Sequence, residues 1–104
     1  MLIGGLLEAR LYQVFLCVLD INNGLLIIYG KNHTESDGTA RITLPISFMS
    51  AGYGAAALHA GSDFCDLHID YAYKLINFLP IKTRNANNNA VGKGWCIFYI
   101  CIGY

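Results

Sequence analysis

The stretch Trp95-Cys96-Ile97-Phe98-Tyr99-Ile100-Cys101-Ile102-Gly103-Tyr104 decides the fold of this chain. Apolar residues stand at both odd and even positions. Because neighbouring side chains of a strand point to opposite faces, a strand here is apolar on both faces. Chain termini usually fray unless the structure holds them. The stretch therefore predicts a central strand, placed between two neighbouring strands or pressed against another subunit.

The composition predicts one domain that hides part of its surface in an assembly. Of 104 residues, 55% are hydrophobic and 13% are charged, and the net charge is zero. A chain of this length forms one core, and few charges remain to cover its surface. We therefore expect an apolar face buried in an oligomer. The charge balance gives no footprint for nucleic acid or an anionic membrane, and no apolar run reaches the about 18 residues of a membrane-spanning helix.

Six short segments with strand character follow one another from residue 25 to the end. Clusters of turn-forming Gly, Asn, Asp, Ser and Pro separate them. The candidate strands are residues 25–29, 39–44, 53–60, 65–71, 74–83 and 95–104. Pro80 suggests that the fifth candidate is an edge strand. This spacing predicts an all-β protein, an antiparallel six-stranded β-sandwich.

Residues 1–22 differ from the rest, and the sequence leaves their secondary structure open. The spacing between successive apolar residues alternates between four and three positions, as in a coiled-coil seam, and this pattern favours a helix. These residues are Leu7, Leu11, Val14, Val18 and Ile21. The run 14–19 is equally compatible with an extended, buried strand. We predict a short helical or extended docking and oligomerisation segment at 1–22, without the features of a signal peptide, and a sandwich domain at 23–104.

Two sets of residues are of types that bind metals, the cysteines and one cluster of polar residues. The four cysteines have no C-x-x-C spacing, which argues against a zinc or redox site and for buried thiols in a reducing cytosol. Asp66, His68 and Asp70 alternate along one candidate strand and share a face. At about 7 Å per step they are weak metal candidates within one chain. Three copies of His68 could converge on a three-fold axis; otherwise this is a solvated strand face.

Catalysis has no support from sequence motifs. The chain has no G-x-S-x-G, no H-E-x-x-H and no phosphate-cradling glycine loop. Asp66 and His68 could form an acid–base pair, but a flat strand face offers no pocket. We therefore expect a protein that is not an enzyme and that uses no cofactor.

Two polar loops, residues 31–38 and 84–94, are the stronger candidates for ligand binding. Loops gather at the ends of a sandwich and carry its binding residues. Amide and carboxylate groups hydrogen-bond sugar hydroxyls, and a ring such as Tyr71 or Tyr73 stacks on the apolar sugar face. Each asparagine is alternatively a turn former. The candidate residues are His33, Glu35, Asp37, Asn85, Asn87, Asn88 and Asn89.

Several segments, in order, resemble the C-terminal receptor-binding domain of bacteriophage tail fibre proteins. Gly24-Leu25-Leu26-Ile27-Ile28-Tyr29-Gly30 is similar to that domain's Gly-Leu-Ile-Ile-Gln-Trp-Gly opening. Residues 40–48 are similar to its Val-Thr-Phe-Pro-Ile-Ala-Phe segment, the Asn-Phe pair at 77–78 to its Gly-Phe pair, and residues 98–104 to its aromatic-Ile-Ala-Ile-Gly-Tyr ending. Cys101 replaces a small residue there, and residues 1–22 match nothing in the family.

The resemblance implies a β-sandwich akin to the H-type lectin fold, assembled as a homotrimer at a fibre tip. Such a tip binds a host cell-surface glycan or other receptor, belongs to the virion, and is assembled in the host cytoplasm. Other tail proteins are possible partners, whereas nucleic acid and membrane insertion are not implied. Two alternatives stay open: a structural virion or particle protein of the same fold that binds other particle subunits, and a free-standing lectin. The resemblance also leaves open whether the chain is a stand-alone gene product or a fragment of a fibre protein.

Overall fold

The computed structural model describes the backbone of residues 7–13, 16–21 and 24–104, and side chains from Gly24 onwards. Predictions for residues 1–6, and for Val14 in the apolar seam, lie outside this described part. The described residues form eight strands: β1 Leu7–Gln13, β2 Leu16–Ile21, β3 Leu26–His33, β4 Ala40–Thr43, β5 Gly54–His59, β6 Cys65–Ile69, β7 Phe78–Asn85 and β8 Cys96–Gly103. None of the residues described forms a helix long and apolar enough to cross a membrane.

The strands form two antiparallel sheets. The large sheet has the strand order β1-β2-β3-β8-β5, and the small sheet has the order β4-β7-β6. From Gly24 onwards the structure has six strands, and each lies within or overlaps one of the six predicted segments. The predicted all-β sandwich is confirmed.

Strand β8 is central, as its sequence predicts. It pairs with β3 along its whole length and with β5 on its other side. Ile97, Tyr99 and Cys101 point into the core, whereas the alternate residues of β8 point away from it. Both faces of the strand are apolar, and the residues that the structure describes bury only one of them.

The core lies between the two sheets. The small sheet contributes Ala40, Ile42, Leu79 and Ile81, which face the buried residues of β3 and β8. The predicted alternation of β4 is confirmed, since Ala40 and Ile42 are buried while Arg41 is exposed. Such interdigitated apolar side chains are what holds two sheets face to face.

The predicted edge position of the strand containing Pro80 is wrong, because β7 is the central strand of the small sheet. The carbonyl of Pro80 accepts a hydrogen bond from the N–H of Asp70, so its nitrogen also faces β6. Strand β6 has its last paired residue at Ile69. The missing N–H therefore falls just past the end of that ladder, and a central proline is tolerated.

For the N-terminal segment, the structure favours the extended alternative. Strand β2 pairs with β3 from Leu16 opposite Gly30 to Asp20 opposite Leu26, and β1 pairs with β2. The helix that the heptad spacing favoured is therefore absent from residues 7–13 and 16–21. An unpaired edge of β3 would expose a row of N–H and C=O groups, and β2 satisfies them. The division at residue 22 stays a prediction.

Among the cysteines of the described part, Cys101 is buried and Cys65 and Cys96 are half-buried, all three with free thiols. Burial raises the pKa of the Cys101 thiol to about 12. The prediction of fully buried thiols thus holds for Cys101 and not for the other two.

Candidate functional site

The two loops that the sequence singled out are fastened together at one end of the sandwich. The hydroxyl of Thr34 donates to the carbonyl of Gly92 at 2.6 Å and accepts from the N–H of Trp95 at 2.9 Å. The hydroxyl of Thr83 donates to the carbonyl of Gly38 at 2.7 Å. Gly38 has φ +80°, and a Cβ there would lie 2.7 Å from the Val91 carbonyl oxygen. The loops form one unit because buried threonines and a close backbone approach tie them.

Glu35 and Asp37 of the first loop bind Arg41 on β4. The Arg41 guanidinium lies 2.8 Å from an Asp37 carboxylate oxygen and 3.1 Å from a Glu35 carboxylate oxygen. The hydrogen bond from Arg41, with one from the N–H of Thr39, lowers the pKa of Asp37 to about 2. The ion pair therefore stabilises the loop above the ordinary aspartate pKa and is lost as the pH falls through about 2.

The asparagines of the second loop have two different roles. One of them forms the turn, and the others expose their side chains to solvent. The side-chain oxygen of Asn85 accepts the N–H groups of Asn87 at 3.0 Å and Asn89 at 3.1 Å. Asn88 has φ +63°, in the left-handed region that asparagine tolerates. The side chains of Asn87, Asn88 and Asn89 are exposed, as is that of His33 at the end of β3. Asn85 thus shapes the turn, and its neighbours face solvent.

A groove, here called the polar groove, runs over the outer face of the small sheet. It consists of two cavities of about 400 and 410 Å³ that share Asp37, Thr39 and Lys82. The first cavity is also lined by Asp66, His68, Arg84 and Ala90, among others. The second is also lined by Arg41, Asp70, Tyr73 and Pro80, among others. The expectation that Asp66 and His68 lie on a flat face without a pocket is wrong, because loop residues such as Ala90 form the other wall.

The three metal candidates are not brought together as a ligand set within one chain. A carboxylate oxygen of Asp70 lies 3.3 Å from the ammonium of Lys82. In the described part of the chain, no group of three or more His, Cys, Asp or Glu residues is placed to hold a metal ion. Asp66 and His68 instead line the polar groove beside two basic residues.

The basic residues of the groove are not among the candidates that the sequence predicts. Lys82 and Arg84 alternate along β7, and both are exposed on the outer face of the small sheet. The available signal was the pattern Lys82-x-Arg84 after the apolar run 78–81. This pattern indicates a groove only if β7 is the central strand, because the outward side chains of β7 then lie between those of β4 and β6.

The opposite side of the molecule carries an outer apolar face, formed by the exposed side of β3, β8 and β5. Phe98, Ile100 and Ile102 are each 45% exposed, Tyr29 is 43% exposed and Leu58 is 72% exposed. Across the ladders, Ile100 lies between Tyr29 and Ala56, while Phe98 lies between Lys31 and Leu58. Apolar side chains thus extend across three hydrogen-bonded strands, with Lys31 beside Phe98 in one row, and such a patch marks an interaction surface.

Comparison with known proteins gives a family and a fold. Residues 20–104 match the model of a family described as putative tail fiber protein gp53-like, C-terminal. No curated protein sequence matches the chain. Among solved structures, the chain is similar to the C-terminal part of the P. aeruginosa R2 pyocin fiber, with 17% identity and a TM-score of 0.70 over 94% of this chain and 26% of that one.

A selenomethionine structure of an N-truncated R2-type pyocin tail fiber is similar to the same degree. Its identity is 17% and its TM-score 0.70, over 94% of this chain and 37% of that chain. At this identity the similarity shows the fold alone. The chain spans 26% and 37% of the length of these two fibre structures.

Proposed function

This chain belongs to the family of putative tail fibre proteins with a gp53-like C-terminal domain, and on that premise we propose that it forms the receptor-binding tip of a fibre. The family assigns a tail fibre role and hence a component of the virion. Beyond that, we propose a homotrimer without enzymatic activity that binds a glycan or other receptor on the host cell surface. The fold that it shares with pyocin fibres is consistent with this proposal.

The observation that carries the proposal is the outer apolar face. Its side chains are half-exposed in the single chain, and only 13% of all residues are charged. Completing the burial of one such side chain contributes on the order of 1 kcal/mol. The occupant is a second copy of this chain, because fibre subunits stand side by side around a common axis and a closed ring covers the same surface on every copy.

This packing leaves the small sheet on the outside of the trimer. The two sheets of a sandwich are about 10 Å apart, so the small sheet and its groove lie on the side away from the axis. The polar groove on the small sheet and the fastened loops at one end of the sandwich are then both accessible to a receptor. His68 also lies on that outward side, which argues against the axial ion that three copies of His68 could have held.

The trimer is tested by light scattering on the purified chain and on two matched variants. Ile100→Asp places a charge on the outer apolar face, while Thr43→Asp places one at an exposed strand position of the small sheet. We expect a trimer for the wild type and for Thr43→Asp, and a folded monomer for Ile100→Asp. A monomeric wild type, or a trimeric Ile100→Asp, would contradict the proposed assembly.

Receptor binding is tested with labelled protein on a panel of bacterial cells. The trimer binds more tightly than the Ile100→Asp monomer, because linked sites gain avidity of about 10²-fold or more. Replacing Asn87, Asn88 and Asn89 by Ala leaves assembly intact and weakens binding. Unchanged binding removes those side chains from the site.

The second candidate function, a structural particle protein that binds other subunits, also draws on the outer apolar face. It predicts rings or fibres that form without ligand and that tolerate every loop and groove substitution. Binding to cells that the loop or groove variants weaken decides for the receptor-binding tip.

A further inference from the structure

We propose that the polar groove binds an uncharged, hydroxyl-rich sugar chain, held by Asp66, His68, Lys82 and Arg84. This inference rests on the proposed receptor-binding function and names both the site and the class of ligand. The main contacts then lie on the strands of the small sheet, and the loop that carries Asn87, Asn88 and Asn89 lies at one end of the groove.

The four side chains form a compact cluster on paired strands. Lys82 and Arg84 lie two residues apart on the central strand β7 and point outward. In the ladder, His68 lies opposite Lys82, and Asp66 lies opposite Arg84. Side chains directly opposite each other in an antiparallel pair are about 5 Å apart at Cβ, so strand pairing fixes their relative positions before any ligand arrives.

These four side chains have unused hydrogen-bonding capacity. The carboxylate of Asp66 and the ring of His68 make no hydrogen bond or ion pair with any described residue. Arg84 donates one N–H to the carbonyl of Asn88 at 3.0 Å, and Lys82 has one partner, Asp70, at 3.3 Å. Arg41, in contrast, is already held by two carboxylates. Donors and acceptors are therefore available together at one cavity.

The charge of the cavity selects an uncharged ligand. The carboxylates of Asp37 and Asp66 line it together with the cationic groups of Lys82 and Arg84. An anionic ligand would meet two carboxylates, and a cationic ligand would meet two fixed positive charges. A hydroxyl group both donates and accepts, so a pair of adjacent hydroxyls satisfies a carboxylate and an ammonium at once.

The shape of the groove fits a chain of sugars. The first cavity adjoins the second, with which it shares Asp37, Thr39 and Lys82, and in the second Tyr73 is 68% exposed. An exposed phenol ring at the end of a polar groove offers an apolar surface to the face of a sugar ring. Two adjoining cavities, one of them lined by an aromatic ring, accommodate successive sugar rings.

The test uses the assembled full chain on a printed array of neutral, acidic and amino-substituted oligosaccharides. We expect binding to neutral oligosaccharides, and the best of them is then titrated by calorimetry. Asp66→Asn and Lys82→Met each weaken the affinity about tenfold or more, because each removes a hydrogen bond to a charged group. The matched control Asp63→Asn, which lies outside the groove and both polar loops, stays within about twofold. Between about 0.05 and 0.5 M salt the affinity is constant, since no net charge is paired.

Each outcome decides the inference. Preference for acidic or amino-substituted sugars, binding to no neutral sugar, or groove variants that bind like the wild type would overturn it. Cell binding that persists in the groove variants but is lost in the triple asparagine variant leaves the receptor-binding function standing and moves the site to the loop. A trimer that binds neither cells nor glycans overturns both proposals. All variants are first matched to the wild type in thermal unfolding and oligomeric state.

Discussion

Lys74 shows how a single side chain fastens the loops beside the core. It is only 5% exposed, and its ammonium donates to the carbonyls of Ala51 and Tyr53, the latter at 2.6 Å. The same ammonium lies 3.7 Å from the centre of the Tyr53 ring. Tyr53 stacks on Phe48 at 4.1 Å and donates its hydroxyl to the carbonyl of Leu75 at 2.9 Å. Burial lowers the pKa of Lys74, while the two carbonyls and the ring compensate the charge.

Replacing Lys74 by Met should destabilise the fold by about 2–4 kcal/mol, because the buried Tyr53 carbonyl and the part-buried Ala51 carbonyl lose their donor. Urea unfolding measures the change in the free energy of unfolding. Lys93→Met is the control, and an exposed loop lysine should change stability by less than about 0.5 kcal/mol. Equal midpoints for the two variants would show that the buried ammonium contributes nothing.

Alkaline pH should weaken the fold through buried acids of the core. Burial raises the pKa of Cys101 to about 12 from an ordinary value of 9.0, and that of Tyr99 to about 12 from 10.0. Because the folded pKa values are raised, their contribution is complete below about pH 9 and is lost as the pH rises towards 12. Cys101→Ala should make the stability curve shallower between pH 9 and 12 in pH-dependent urea unfolding. An identical slope in the variant would contradict this account.

At this scale the sequence predicts residue types better than partners. Asp66 and His68 stood out as a polar pair on one strand face, which the structure confirms. Their neighbours Lys82 and Arg84 did not, since they come from a strand whose position in the sheet was predicted wrongly. Lys74 looked like the beginning of a strand. Its acceptors are backbone carbonyls more than 20 positions earlier, and no local pattern encodes such a contact.

Strands are the level at which the sequence was most informative. Alternation in β4 and β6 and the apolar run of β8 give strand positions directly, because burial on one or both faces dictates side-chain type. The same approach does not decide the N-terminal segment, because a run that is apolar at nearly every position fits both the helical and the strand periodicity. What decides for strands at 7–13 and 16–21 is tertiary: the free edge of β3.

Removing residues 98–104 should abolish folding and assembly together. Strand β8 connects β3 with β5, so its loss leaves two unpaired edges and removes the two buried side chains of Tyr99 and Cys101 from the core. Circular dichroism and light scattering on the truncated chain measure both effects. The triple Ala substitution of Asn87, Asn88 and Asn89 is the control and should fold. A soluble trimer after truncation would refute the central role of β8.

The whole molecule has two outer faces of opposite character. One is apolar and lies on the large sheet; the other is polar, grooved and lies on the small sheet. Composition predicted that an apolar face exists, but it could not say which one. Alternation along a strand shows which residues share a face. Which of the two faces is buried depends on the sheet that packs against the strand.

Assembly through the outer apolar face should resist salt. The face is apolar at Tyr29, Phe98, Ile100 and Ile102 and carries a charged residue, Lys31, opposite Phe98. Association therefore depends mainly on apolar burial, and the trimer should persist from about 0.05 to about 1 M NaCl. Sedimentation at a series of dilutions measures the association. The Ile100→Asp variant is the control and stays monomeric throughout. Dissociation at high salt would mean that ion pairs hold the copies together.

The order of strands along the chain also has a consequence for biosynthesis. The ribosome makes β3 and β5 well before β8, the strand that joins them. Between the synthesis of β5 and that of β8, the nascent polypeptide therefore carries apolar strands that no central strand yet joins. Productive folding waits for the final insertion, and such sequence-distant pairing is slow. Rapid shielding by a chaperone during that interval would raise the yield of native protein.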